Sequence, residues 1–164
     1  MNHRNIVKYY GSVSKRQKLY ILLEYCSEGS LSNLLKIYNN LNENIIRKYE
    51  TQILDGLEYL HAHNIVHRDI KCANILIGEG AVCKLTDFGK TKLIKKERNI
   101  NSSIHGNTNW MAPEIIKSSN ETRFSDIWSM GCTIIEMFQG RSHYSDKKDI
   151  LNIFNCIIKY KEPP

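Results

Sequence analysis

The stretch that decides the fold is His67-Arg68-Asp69-Ile70-Lys71-Cys72-Ala73-Asn74. A candidate base, a cation and a candidate metal ligand fall within these eight residues. Asp87-Phe88-Gly89 follows 13 positions after Asn74, and Ala112-Pro113-Glu114 comes later in the chain. Any one of these short motifs is common by itself, whereas the three in this order and spacing are specific. The ordered set therefore guides the interpretation of the remaining sequence.

These residue types suit phosphoryl transfer, which needs positioned metal ions, charge compensation and an oriented nucleophile. Asp69 is suited to accept the proton of a substrate hydroxyl, and Lys71 to offset the charge that develops on a transferred phosphate. Asn74 offers an amide oxygen and Asp87 a carboxylate, and Mg²⁺ prefers such oxygen ligands. Each residue taken singly has a structural explanation, as a turn residue, a cap or a surface charge. Taken together and in this order, they predict a catalytic site.

Length and composition indicate one globular domain. The chain has 164 residues, of which 24% are charged and 41% hydrophobic, and a chain of this kind can bury a core. Its formal net charge is +6. Phosphate-bearing ligands, acidic proteins and RNA would each suit that charge, and a solvated basic surface explains it as simply. Composition therefore argues against wholesale disorder but selects no partner.

Cysteine usage and targeting signals favour a cytoplasmic protein. The five cysteines are scattered and include no Cys-x-x-Cys pair, so a reducing compartment is expected rather than a disulfide scaffold or a zinc site. The N-terminus has no basic-then-apolar signal segment. No apolar run approaches the roughly 18 residues that suggest a membrane span.

Four short strands are predicted from apolar runs and their flanking turns. A strand at 5–11 ends at a glycine, and a second at 19–24 follows a polar turn. Two more, at 75–77 and 82–85, flank Gly78-Glu79-Gly80 and form a hairpin between the first two motifs.

Helical periodicity predicts the rest of the fold. A short amphipathic helix follows the second strand, and Asn42 is the expected N-cap of a longer helix. The buried stripe of that longer helix recurs at helical spacing as Ile46, Tyr49, Ile53, Leu57 and Leu60. The segment 127–138 is apolar on nearly all sides, which predicts a central, buried helix. A last helix is expected to begin near Ser145 or Asp146, with an apolar stripe of Ile150, Leu151, Phe154, Ile157 and Ile158.

Together these motifs resemble the protein kinase family. Residues 106–114, Gly-Asn-Thr-Asn-Trp-Met-Ala-Pro-Glu, are similar to a pattern of the sterile-20 and mitogen-activated protein kinase kinase kinase branch, and 65–76 and 126–132 agree with it. The resemblance implies an α+β, protein-kinase-like fold, namely a mainly helical C-lobe with remnant N-lobe strands and a hinge.

The sequence lacks several parts that the family carries. No glycine-rich phosphate loop, no Val-Ala-x-Lys strand and no helix with the Glu that pairs with that Lys is found, and the last C-lobe helices are absent as well. We therefore expect 1–164 to be a partial kinase domain. Because positioning supplies most of the catalysis, the chain by itself is expected to bind ATP weakly and to transfer phosphate poorly.

The resemblance implies roles for the motif residues. Asp69 would be the base, with Lys71 and Asn74 as its catalytic partners, and Asn74 and Asp87 would hold Mg²⁺. The nucleotide would bind at a hinge in which Leu23 is the gatekeeper, Glu24 and Cys26 bond the adenine edge through their backbones, and Leu76 lies beneath the ring. Structural roles would fall to His67, Phe88, Gly89, Glu114 and Asp126, the last by bonding the backbone around His67 and Arg68.

The segment 90–111 resembles an activation loop. Arg68 resembles the arginine that receives a phosphate from such a loop, and it is expected to lack a partner while the loop is unmodified. Candidate phosphosites are Ser102, Ser103 and Thr108, with ordinary loop residues as the alternative. A basic run is expected to form a solvated loop face: Lys90, Lys92, Lys95, Lys96 and Arg98.

The implied reaction is transfer of the γ-phosphate of ATP to protein Ser/Thr hydroxyls, because the family's Ser/Thr members carry a Lys at the position of Lys71. The implied cofactors are ATP and Mg²⁺. The implied partners are a protein substrate, which a downstream kinase would fit, and an upstream activating kinase, in a mitogen-activated protein kinase cascade. No nucleic acid partner and no membrane span are expected.

Two other readings stay open. A degenerate kinase that serves as a nucleotide-binding or scaffold module is favoured by Asn107, because the family usually has there a Thr that bonds the catalytic Asp and Lys. A basic nucleic-acid-binding protein would suit the net charge, but the chain lacks a recognition motif.

Overall fold

The structure is a computed structural model that describes residues 1–93, 107–118, 121–147 and 149–159, with only the backbone described at Lys92. The strands are β1 (Tyr9–Lys15), β2 (Lys18–Leu23), β3 (Ile65–Val66), β4 (Ile75–Gly78), β5 (Val82–Leu85) and β6 (Lys92–Leu93). The helices are α1 (Leu31–Tyr38), α2 (Glu43–Ala62), α3 (Pro113–Ser118), α4 (Arg123–Gln139) and α5 (Ile150–Lys159). The strands pair as β1–β2, β3–β6 and β4–β5. This arrangement confirms the predicted α+β class.

The longest helix, α2, confirms its predicted cap and stripe. The Asn42 side chain accepts a hydrogen bond from the N–H of Ile45 at 3.0 Å, which satisfies one of the donors that a helix start leaves open. All five predicted stripe residues are buried. They share the principal core with α1, the β4–β5 hairpin and part of α4. Each described helix is too short or too polar to cross a membrane.

The helix α4 is less buried than its composition predicts. Met130 and Met137 lie in the principal core, but Ile127 and Phe138 are each 48% exposed. In the described part of the chain, α4 packs on α2, on β3 and on a 3₁₀ turn at Thr108–Trp110. The prediction of a helix buried on all sides is therefore wrong, because α4 has more apolar side chains than these neighbours cover.

The last helix, α5, begins at Ile150, four or five positions later than predicted. Residues 143–146 form a turn instead. This turn brings Tyr144 against Ile153 and Ile157 in a small cluster. The predicted stripe is wrong at both ends, since Ile150, Leu151 and Ile158 are exposed. Ile153 lies on the buried face instead.

The first hairpin, β1–β2, lies outside the core. Every residue of β2 is exposed, and only one position of β1 is half-buried. The strand predicted at 5–11 begins only at Tyr9. The residues before it bond to β5 instead, because Leu85 accepts from the N–H of Val7 and donates to the carbonyl of Asn5, at 2.9 Å each.

The second hairpin, β4–β5, forms where it was predicted and positions the site. Ile75 pairs with Leu85, and both are buried in the principal core. β4 follows Asn74 and β5 leads to Asp87, so the hairpin returns the chain to its starting point. There the N–H of Thr86 donates to the carbonyl of Asn74 at 3.1 Å. Two motifs that are 13 residues apart in sequence are thereby joined.

Candidate active site

The start of the loop 67–74 is held by a buried carboxylate, that of Asp126 on α4. Asp126 is fully buried. It accepts hydrogen bonds from the N–H groups of His67 and Arg68, at 2.9 Å each, and its Oδ2 lies 2.7 Å from Nε2 of His61 on α2. Arg68 has a φ of 73°, a strained conformation that persists only where its surroundings fix it. The contact that the resemblance implied for Asp126 is present, and His61 joins it.

His67 packs inside the molecule against Phe88, with ring centroids 5.3 Å apart. Burial lowers the pKa of His67, and the nearby charge of Asp126 opposes this only in part, so the ring is neutral at pH 7. Its Nε2 lies 3.0 Å from the carbonyl of Thr86, and its Nδ1 accepts from the N–H of Asp69 at 3.3 Å. A neutral ring that donates through Nε2 satisfies both contacts.

Three N–H donors converge on Oδ2 of Asp69, a side chain that is 3% exposed. They are Nδ2 of Asn74 at 2.9 Å, Nζ of Lys90 at 2.9 Å and Nζ of Lys71 at 3.2 Å. Burial by itself raises the pKa of Asp69, but the hydrogen bond from Lys90 and the charge of Lys71 outweigh it, so the pKa lies below its ordinary value. Asp69 is therefore ionised at neutral pH, as a proton acceptor must be.

The other oxygen of the same carboxylate, Oδ1 of Asp69, is open. None of the described residues donates a hydrogen bond to it. A carboxylate held through one oxygen by three donors has little freedom to rotate, so its second oxygen points in a defined direction. This arrangement suits the acceptance of a proton from an incoming hydroxyl.

The contribution of Lys90 corrects the expected solvated basic face. Lys90 ends a 3₁₀ turn at Phe88–Lys90 that follows Asp87, which has a φ of 63°, and this turn brings its side chain to Asp69. Its position directly after Gly89 was the only signal for this role in the sequence, and position alone does not show where a lysine points. Most of the remaining basic run, residues 95–98, lies outside the described residues.

Asn74 and Asp87 present the oxygen atoms that Mg²⁺ needs. Nδ2 of Asn74 donates to the carbonyl of Asp69 at 2.8 Å as well as to its carboxylate, which leaves the amide oxygen for a cation. The side chain of Asp87 is exposed, and a Cβ at Gly89 would stand 3.4 Å from its Oδ1. In the described ranges no cluster of three or more His, Cys, Asp or Glu residues could hold a metal. A set of two protein ligands completed by phosphates and water fits Mg²⁺.

The predicted hinge connects β2 to α1. The N–H of Glu24 donates to the carbonyl of Lys8 at 2.8 Å. No described residue bonds the carbonyl of Glu24 or the N–H of Cys26, so one acceptor and one donor remain for the edge of a ligand. Leu23 is half-exposed and Leu76 half-buried. Glu24 and Cys26 therefore keep one open backbone acceptor and one open backbone donor, as the prediction of a hinge requires.

Arg68 has a partner, contrary to expectation. Its guanidinium Nη2 donates to Oε1 of Glu121, and the two side chains are 11% and 2% exposed. The expectation of an unpaired cation is therefore wrong. The reason lies in α4: Glu121 directly precedes Thr122, the N-cap of this helix, and Asp126 lies in its first turn. At the start of α4, Glu121 therefore accepts from the side chain of Arg68, and Asp126 accepts from its backbone N–H.

The predicted phosphosites fall at the border of the described chain. Ser102 and Ser103 lie outside the described residues, whereas Thr108 begins the 3₁₀ turn that ends at Trp110. Asn107 lines the same small cavity as Asp69. Its side chain is exposed and makes no hydrogen bond to Asp69.

The Ala-Pro-Glu helix, α3, contacts α4 through Glu114. This carboxylate is half-buried and accepts a hydrogen bond from Oγ of Ser125 at 3.1 Å. A second carboxylate of α4, Glu136, accepts from the indole Nε1 of Trp110 at 3.0 Å and from the N–H of Cys72 at 3.1 Å. These contacts attach the segment that follows residue 107 to the same helix that holds the loop 67–74.

Comparison with known proteins agrees with this geometry. The protein kinase domain family matches residues 1–162. The chain therefore belongs to the protein kinase domain family.

The curated relatives point to one branch of that family. The chain is 48% identical over 155 residues to mitogen-activated protein kinase kinase kinase YODA of Arabidopsis thaliana, which covers 94% of the chain and 17% of the relative. It is 43% identical over 167 residues to mitogen-activated protein kinase kinase kinase 2 of the same plant, covering 100% and 26%. It is 43% identical over 157 residues to the serine/threonine-protein kinase STE11 of Saccharomyces cerevisiae, covering 94% and 22%. These relatives confirm the resemblance to the kinase kinase kinase branch, and the chain spans about a quarter or less of their length.

Proposed function

We propose that the protein is a serine/threonine kinase that transfers the γ-phosphate of ATP to hydroxyl groups of a protein substrate. The observation that carries this proposal is the Asp69 carboxylate, which is ionised, bonded at Oδ2 by two lysines and an amide, and open at Oδ1. Membership of the protein kinase domain family supports it.

The residues of the site divide the work of the reaction. Asp69 accepts the proton of the substrate hydroxyl at Oδ1 as the hydroxyl oxygen attacks phosphorus. Lys71, which lies 3.2 Å from Oδ2 of Asp69, reaches the transferred phosphate and offsets its developing charge. Asn74 holds the backbone and the carboxylate of Asp69 through one amide group. The protein orients and compensates charge, and it forms no covalent intermediate.

The cofactors are proposed from the donor set. Asn74 and Asp87 hold Mg²⁺, which when bound neutralises charge on the phosphates. The carbonyl of Glu24 and the N–H of Cys26 would bond the edge of adenine, with Leu23 as the gatekeeper and Leu76 beneath the ring. The open backbone groups at the hinge support this assignment.

The substrate class and cellular setting rest on the relatives. Two of them bear the name mitogen-activated protein kinase kinase kinase, which supports a substrate that is itself a kinase and a place in a phosphorylation cascade with an activating kinase upstream. Lys71 supports Ser/Thr rather than Tyr as the acceptor. We place the protein in the cytoplasm, where such a cascade operates.

We further propose that 1–164 forms part of a longer kinase domain. The apolar side chains of β1 and β2 are exposed, and a two-stranded sheet alone is marginally stable in water. Hydrogen exchange of these strands, compared between the chain and the longest in-frame protein that contains it, tests the proposal. Equal exchange rates in the two proteins would contradict it.

Regulation is proposed to act through Arg68. A phosphate on Ser103, Ser102 or Thr108 would pair with its guanidinium and order the loop, and it must compete with Glu121. Phosphatase treatment and joint replacement of Ser102 and Ser103 by alanine should each lower the activity of the longest in-frame protein. Full activity after both treatments would show that the loop is not the switch.

The replacement Asp69→Asn tests the proposed reaction. In the longest in-frame protein that contains the chain, it should lower kcat by roughly 10²–10⁴-fold, the usual contribution of a general base, and leave ATP affinity nearly unchanged, because Asp69 acts on the substrate hydroxyl. Asp55→Asn is the matched control, since Asp55 is exposed on α2. Equal phosphoryl transfer by the Asp69→Asn variant and the wild type would show that Asp69 is not the general base.

The second candidate function, a degenerate kinase that acts as a nucleotide-binding or scaffold module, is favoured by Asn107. The exposed side chain of Asn107 makes no bond to Asp69. Measurable Mg·ATP binding by the longest in-frame protein, with no transfer to any of a panel of Ser/Thr substrates, would favour this function over catalysis.

A further inference from the structure

Two lysines lie on one oxygen of the proposed base. Nζ of Lys90 is 2.9 Å and Nζ of Lys71 is 3.2 Å from Oδ2 of Asp69. The role proposed for Lys71 is at the phosphate, and nothing in that role requires a second lysine. Lys90 therefore needs its own explanation.

The backbone on both sides of Lys90 is fixed, so its approach to Asp69 is built into the fold. Lys90 ends the 3₁₀ turn that starts at Phe88. This turn is closed by Thr91, whose N–H and hydroxyl donate to the carbonyl of Phe88 at 3.2 and 2.7 Å. β6 then follows and pairs with β3, the strand that leads into the loop 67–74. The same pairing thus positions the residue before the loop and the residues after Lys90.

The two lysines differ in whether they can keep their contact with Asp69 during the reaction. Once Lys71 also binds the transferred phosphate, its single positive charge is shared between two anions, so its attraction to Asp69 weakens. Lys90 approaches from a different segment, and its side chain is 35% exposed, against 15% for Lys71. Without Lys90, the buried carboxylate of Asp69 would keep only the amide of Asn74 as a full partner while Lys71 binds the phosphate, which is unfavourable.

We propose that Lys90 is a positioning residue for Asp69. It holds Oδ2 while Lys71 turns to the transferred phosphate, and thereby keeps Oδ1 directed at the substrate hydroxyl. Lys90 itself touches neither the nucleotide nor the substrate. This inference rests on the proposed kinase function and adds to it a second lysine, outside the motif that contains the base.

Steady-state kinetics of the longest in-frame protein containing the chain test the proposal. Lys90→Met should lower kcat about tenfold, the loss expected when one hydrogen bond to a charged group is removed. The KM values for ATP and for the peptide should change less than twofold, because Lys90 positions the base and binds no ligand. Lys90→Arg, which keeps a cationic donor, should recover most of the lost kcat. Lys15→Met, an exposed lysine at the end of β1, is the matched control.

Each other kinetic outcome overturns the proposal. A rise in kcat with Lys90→Met would mean that Lys90 blocks the base. A change confined to the KM of the peptide would make Lys90 a substrate-binding residue. An unchanged kcat in an active protein would refute the inference while the proposed function stands. If the wild-type protein transfers no phosphate at all, both the proposed function and this inference are overturned.

Zero-length carbodiimide cross-linking tests the contact without any activity. A carboxylate and an amine 2.9 Å apart should form an amide that mass spectrometry detects as a linked peptide between Asp69 and Lys90. Glu24 and Lys84, whose side chains are 3.0 Å apart, provide the positive control. Asp69→Asn should abolish the first link and leave the second. A protein in which Asp69 links to Lys71 but never to Lys90, while the control link forms, would refute the geometry on which the proposal depends.

Discussion

The β1–β2 hairpin and the loop 67–74 keep their shapes by opposite means. In the hairpin a backbone ladder with one irregularity, between Tyr9 and Gly11, sets the geometry, and the side chains of β2 are all exposed. In the loop the backbone is irregular, with Arg68 at a φ of 73°, and the buried side chain of Asp126 accepts its N–H groups. A backbone ladder survives most substitutions, whereas a side-chain acceptor is lost with one. Sensitivity to mutation should therefore concentrate on the supports of the loop.

The largest effect is expected at Asp126. Asp126→Ala leaves two backbone donors and His61 without their acceptor inside the protein. The free energy of unfolding of the chain should fall by about 3–5 kcal/mol, since each buried unpaired group costs about 1–3 kcal/mol. Urea denaturation followed by circular dichroism measures this change.

The control for Asp126 is Asp146→Ala on the surface. Asp146 pairs with Arg141, and both side chains are more than half-exposed, so its loss should change the free energy of unfolding by less than about 1 kcal/mol. Equal effects of the two substitutions would break the comparison, because the loop would then not depend on its carboxylate.

A somewhat smaller effect is expected at Glu121. Glu121→Met leaves the guanidinium of Arg68 buried without this carboxylate, and the free energy of unfolding should fall by about 3 kcal/mol. Adding Arg68→Met should restore part of that loss, because the double variant no longer buries this guanidinium without its carboxylate. Urea denaturation of the single and double variants forms the cycle. Additive losses in the double variant would show that the pair is not coupled.

The smallest effect is expected in the hairpin. Ile21 on β2 is 59% exposed, whereas Ile53 on α2 is 1% exposed. Ile21→Ala should change the free energy of unfolding by less than about 0.5 kcal/mol, and Ile53→Ala should lower it by about 2–5 kcal/mol. A large loss from Ile21→Ala in thermal unfolding of the chain would mean that the hairpin buries this side chain in solution, and it would remove the contrast with the loop.

Local patterns in the sequence were enough to predict much of the fold. The stripe and cap of α2 depend on neighbours three or four positions apart, and the β4–β5 hairpin depends on one short turn. Patterns failed where burial depends on distant neighbours. The apolar residues of α4 did not indicate which face of the helix would stay exposed. The stripe of α5 did not indicate that a turn around Tyr144 precedes the helix and moves its start to Ile150.

The sequence by itself determined which residues could perform the chemistry. Asp69, Lys71, Asn74 and Asp87 stand in an order and spacing that resemble a protein kinase, and their residue types suit the proposed base, cation and metal ligands. These are short-range facts, since the first three lie within six residues.

Only the tertiary structure decided how those residues are supported. Lys90 meets Asp69 across 21 residues of chain, and Glu121 meets Arg68 across 53. Such pairs form because separate turns and helices pack together, and the packing depends on the whole core rather than on the local pattern. Nothing in the sequence near Lys90 or Glu121 indicates which residue each will contact. The tertiary fold alone determines these partners.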